Sequence, residues 1–125
     1  MKIALLVNPL AGLGGAVGLK GSDGPDLQAV AIAREGRARG ASRVAAFLQC
    51  LTVAQDDNAD SFLQTSAQPI TWVAWGGPMG ADYLQQLGFD FEQLGTPRTP
   101  SSAQDTIDAT AAFVGHGVDL IIFVG

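Results

Sequence analysis

Ile3-Ala4-Leu5-Leu6-Val7-Asn8-Pro9 opens the chain with a continuous aliphatic run stopped by an Asn-Pro pair. A run with no polar alternation is the pattern of a strand covered on both faces, and such strands belong to parallel sheets. Only one lysine precedes it and it is five residues long, too short for a secretory signal, so it reads as a strand. Working outward, the same composition returns at Ile70-Thr71-Trp72-Val73-Ala74-Trp75, which ends in Gly76-Gly77-Pro78, and most clearly at Val118-Asp119-Leu120-Ile121-Ile122-Phe123-Val124. Phe89–Leu94 is a weaker candidate.

Helical patterns fill the spaces between these strands. Val44, Phe47, Leu48 and Leu51 fall at i, i+3, i+4 and i+7, with Ser42 as the expected cap, and Gly36 and Gly40 are expected to divide this region into two helices. Ala81, Leu84 and Leu87 predict a short helix closed by Gly88. Ser102 and Asp105 stand three apart as a loose capping box before the last helix, with Ile107, Ala111 and Val114 expected to face inward and Gly115 to Gly117 to end it. Residues 55–60 are a polar break. The order βα(α)βαβαβ implies an α/β, three-layer Rossmann-like domain with a mostly parallel sheet of about four strands.

The length of 125 residues suits one domain with its own core, and 47% hydrophobic against 15% charged residues excludes a disordered chain. No apolar run is long enough to cross a membrane. A single cysteine, Cys50, excludes an internal disulfide framework and fits a cytoplasmic setting; its place on an apolar helix predicts a core role. A net charge of −5 argues against general nucleic-acid binding.

The charge is uneven. Six basic residues up to Arg43 oppose Asp23, Asp26 and Glu35, whereas Arg98 stands alone among the nine acids that follow. A positive N-terminal third suits an anionic ligand such as a phosphate; the alternative is that Arg34, Arg37, Arg39 and Arg43 lie on solvated helix faces. The same third holds the glycine-rich segment 10–26. Its Gly12, Gly14, Gly15, Gly21 and Gly24 would let backbone N–H groups approach phosphate oxygens, with Lys20 as a point charge. The segment is not a P-loop, because Lys20 is followed by Gly21 and not by Ser or Thr.

In open parallel sheets, ligands bind beyond the carboxyl ends of the strands, where Asn8 and Gly125 are expected to lie. Asn8 either bonds a ligand or holds the turn before Pro9. Asp23 either assists Mg²⁺ or a ribose hydroxyl, or forms an Asx-turn before Gly24-Pro25. Asp105 and Asp108 read as helix-start, solvent-face acids, and His116 as a positive partner for a helix C-terminus. Trp72 and Trp75 are odd-spaced and should pack on opposite faces of their strand. A strand that ends the chain at Gly125 suggests a longer parent protein.

Asn8-Pro9 followed by Gly12, Gly14-Gly15 and Gly18-Leu19-Lys20-Gly21-Ser22-Asp23-Gly24 resembles the opening of the ATP-NAD kinase-like, or acetoin-catabolism protein X-like, family. Residues 99–106 (Thr-Pro-Ser-Ser-Ala-Gln-Asp-Thr) and 117–125 (Gly-Val-Asp-Leu-Ile-Ile-Phe-Val-Gly) resemble the approach to that family's Gly-Gly-Asp-Gly-Thr motif. The resemblance covers both ends of the chain well and the middle poorly; the Asn-Pro start is also similar to diacylglycerol and sphingosine kinases.

This resemblance implies that residues 1–125 are the N-terminal nucleotide-binding domain of a longer kinase, which would use ATP and Mg²⁺ or another divalent metal to phosphorylate the ribose 2′-OH of NAD. Of the motif whose aspartate is the proposed base, only Gly125 is present, so these residues alone should be inactive. The alternatives are a non-catalytic nucleotide-binding or regulatory module related to acetoin catabolism, and a lipid kinase domain. Nucleotide partners and a homo-oligomer are expected, with neither nucleic acid nor membrane.

Overall fold

A computed structural model of the chain describes residues 1–9, 40–51 and 69–125. Among them, four strands form one sheet: β1 (Lys2–Val7), β2 (Thr71–Trp75), β3 (Phe91–Gly95) and β4 (Leu120–Val124), in the order β3-β2-β1-β4 and parallel throughout. Residues 40–51 are helical (α1), and α2 (Ala81–Gln86) and α3 (Ala103–Gly115) follow β2 and β3. The fold is the expected α/β, Rossmann-like one.

Alternation along the central strands separates two cores. Ile3, Leu5 and Val7 of β1 and Trp72 and Ala74 of β2 pack with Val44 and Leu48 of α1 and Ala81 and Leu84 of α2. Ala4, Leu6, Val73 and Trp75 face the other way, onto Met79 and onto Ala109 and Phe113 of α3. β1 is buried on both faces because helices cover both, which is why its sequence carries no polar alternation. Trp72 and Trp75 lie in opposite cores, as their spacing requires. Each meets a phenylalanine edge-on: Trp72 meets Phe89 at 5.7 Å between ring centroids, and Trp75 meets Phe113 at 6.3 Å.

Several expectations need correction. Ser42 lies inside the helical segment and so does not cap it, while the Val44–Leu48 stripe is buried as predicted; the residues before Gly40, where the division was expected, are outside those described. Gly36 and residues 55–60 lie outside the described residues. Cys50 is exposed, because it falls off that stripe. Most informative is α3, whose inward residues are Asp105, Ala109 and Phe113. Ile107 and Val114, expected inside, are 59% and 68% exposed, and Ala111 is exposed beside them. β4, for all its apolar composition, is an edge strand among the described residues, and its residues are half-buried or exposed.

Candidate functional site at the carboxyl rim of the sheet

Parallel strands bring all their carboxyl ends to one rim, and α3, entered from β3, starts there too. The rim is tied at two places. The Asn8 N–H donates to the Val124 carbonyl at 2.8 Å, joining the ends of β1 and β4, and the Gly76 N–H donates to the Gly95 carbonyl at 2.8 Å, joining β2 and β3. A side chain at Gly76 would come within 2.7 Å of that carbonyl, so the close approach of the two strand ends requires glycine there.

Successive strands β2 and β3 lie on one side of β1, and β4 lies on the other. The strand order therefore reverses between β1 and β4, and the crevice outside that point is where open α/β sheets bind ligands. Asn8 and Gly125 flank it, as expected from the sequence. The chain leaves the rim at Asn8-Pro9 directly into segment 10–26. Gly12, Gly14, Gly15, Lys20, Gly21, Asp23 and Gly24 lie outside the described residues, as do Arg34, Arg37 and Arg39.

At the opposite end of the rim the start of α3 is held by an ionic clamp not foreseen from sequence. Asp105 is 1% exposed, contrary to its reading as a solvent-face acid. Its carboxylate accepts hydrogen bonds from the Ser102 N–H (2.8 Å), the Arg98 N–H (3.1 Å) and Arg98 Nη1 (3.1 Å). The first of these completes the capping box with Ser102. Those two backbone donors, with the guanidinium behind them, hold the Asp105 carboxyl below the usual carboxylate range. Arg98 Nη2 also reaches Asp108 at 2.7 Å, and a hydrogen bond from Gln104, followed by Arg98, lowers that carboxyl too.

One guanidinium thus faces two carboxylates, a local charge of −1 (1 − 2). Arg98 is committed to the turn and offers no free cation to a phosphate. Ser102 and Asp105 were legible as a cap; the reach of Arg98 across the intervening Thr99-Pro100 was not, since it depends on the path of that turn.

His116, at the C-terminal end of α3, lies far along the helix from the rim and contacts Glu92 through Nε2 at 3.0 Å. It secures the helix end to β3, a structural role in keeping with its position. Among the described residues no group of three His, Cys, Asp or Glu side chains is placed to hold a metal ion, and no helix is long and apolar enough to cross a membrane.

No family model matches the chain, and neither a curated protein nor a solved structure does.

Proposed function

We propose that this chain is the nucleotide-binding α/β domain of an NAD kinase-like phosphotransferase. The observation that carries the reading is the bond between the Asn8 N–H and the Val124 carbonyl. It joins Asn8, which precedes the glycine-rich segment in sequence, to Val124, which precedes Gly125, at the switch point of a parallel sheet; the resemblance would align Gly125 with the first glycine of the family's motif. Backbone amides from such a segment, with Lys20 among them, would receive nucleotide phosphates. Phosphoryl transfer asks a protein chiefly to position phosphates and neutralise their charge, which suits a glycine loop at a sheet rim. ATP is the expected donor and the NAD ribose 2′-OH the expected acceptor. No described residue is assigned to the accompanying divalent ion.

Calorimetric titration of the purified chain with ATP and with NAD tests the proposal. Saturable binding of at least one is expected. Lys20→Ala should weaken it about tenfold, the scale of one lost charge-assisted contact. No saturable binding of either at millimolar concentration would refute it, and tighter binding of a lipid headgroup would favour the lipid-kinase alternative.

A further inference from the structure

The two edges of the sheet differ in how they are protected. β3 carries Glu92 and Gln93, both exposed, and Glu92 is engaged by His116 at 3.0 Å. A charged side chain such as that of Glu92 discourages a further strand from adding. β4 has no such protection: Leu120-Ile121-Ile122-Phe123-Val124 contains no charge, proline or glycine, and its pairing with β1 runs in regular register. Leu120 and Phe123 are 49% and 54% exposed. The nearest charged residue, Asp119, turns its carboxylate onto the Lys2 N–H at 2.7 Å, towards β1 and away from the open side. Among the described residues no strand pairs with that side.

We infer that the open edge of β4 pairs antiparallel with β4 of a second copy of this chain, joining the two sheets about a two-fold axis at Ile122. The strand is complementary to itself position by position. In that register the exposed Phe123 stands opposite the half-buried Ile121 of the second copy, on the α3 side of the sheet. The exposed Leu120 stands opposite the half-buried Val124, on the other side, and Ile122 meets its own equivalent. Directly opposed residues share a face in an antiparallel pair, so each exposed side chain gains an apolar neighbour. Two copies of net charge −5 repel generally and should meet where neither carries charge. The outer stripe of α3 (Ile107, Ala111, Val114) is also apolar, but it has no unpaired backbone to satisfy.

Sedimentation equilibrium of the purified chain, with its circular dichroism, tests this inference. A monomer–dimer equilibrium is expected. Phe123→Lys and Leu120→Lys, at positions already exposed, should each weaken the dimer at least about tenfold while leaving the spectrum unchanged. Ile107→Lys should leave the dimer intact. Amide exchange in β4 should slow as concentration rises. A strictly monomeric chain at high micromolar concentration, a larger assembly, or a dimer lost in Ile107→Lys but kept in Phe123→Lys would each overturn it.

Discussion

Gly95 of β3 lies flat against the indole of Trp75 in β2, because the register between these strands shifts between Ala74 and Trp75 and sets Trp75 opposite Gly95. A Cβ at Gly95 would overlap the six-membered edge of that ring. The same ring packs against Phe113 of α3 nearly edge-on, at 88° between planes, inside a buried cluster, which restricts its movement. Gly95→Val should therefore destabilise the fold by about 1–3 kcal/mol, the usual cost of overpacking a filled site. A fall in the urea midpoint with an unchanged slope would show it; a variant as stable as the parent would mean that the indole moves freely.

Asp105 makes the N-terminal end of α3 sensitive to acid. Its carboxyl is depressed in the folded chain by the Ser102 and Arg98 N–H groups and by the Arg98 guanidinium. A depressed folded value means that the stabilisation is complete above the unfolded value of about 3.9 and is lost as pH falls through the lower, folded one. Asp105→Asn should lower the melting temperature at neutral pH, and the two melting curves should converge as pH drops below about 4. A constant difference across that range would show that the charge contributes nothing.

The two faces of α3 should respond very differently to truncation. Phe113 is fully buried between Trp75 and the β1 core residues, so Phe113→Ala should cost about 3–5 kcal/mol. Ile107, exposed on the outer face, should tolerate Ile107→Thr within about 0.5 kcal/mol. Chemical denaturation of the two variants checks both values, and comparable losses at both sites would reverse the helix orientation.

That contrast also marks the limit of what the residues alone disclose. β1 and β2 were legible as strands because apolar runs without polar alternation, bounded by Asn-Pro and Gly-Gly-Pro, have few other readings. β4 has the same composition but lies at an edge, and composition does not distinguish an edge from a centre. In α3 two stripes compete, and the one containing Asp105 is inward because Ser102 and Arg98 satisfy the carboxylate there. Apolar counting favours Ile107, Ala111 and Val114, and it cannot anticipate a buried acid whose partner arrives through the 97–100 turn. At the site, strand polarity alone put Asn8 and Gly125 on one rim, but their proximity depends on β4 pairing beside β1, which the residues did not disclose. The Arg98 clamp did not, since it depends on a tertiary path.

Binding and transfer should separate in this chain. The proposed reaction needs a base beside the acceptor hydroxyl as well as a cradle for the donor phosphates. The resemblance assigns that base to the aspartate of Gly-Gly-Asp-Gly-Thr, and the 125 residues contain no such motif. The acids at the start of α3 cannot replace it. Asp105 is buried with its oxygens committed to Ser102 and Arg98, and Asp108 is bonded by Gln104 and Arg98. Incubation with ATP, NAD and Mg²⁺ should therefore yield no NADP above background in an enzymatic cycling assay, under conditions where calorimetry detects a bound nucleotide. NADP formation that scales with the concentration of the chain would place a working base among residues 1–125, and Asp23→Asn, in the glycine-rich segment, would then be the first substitution to abolish it.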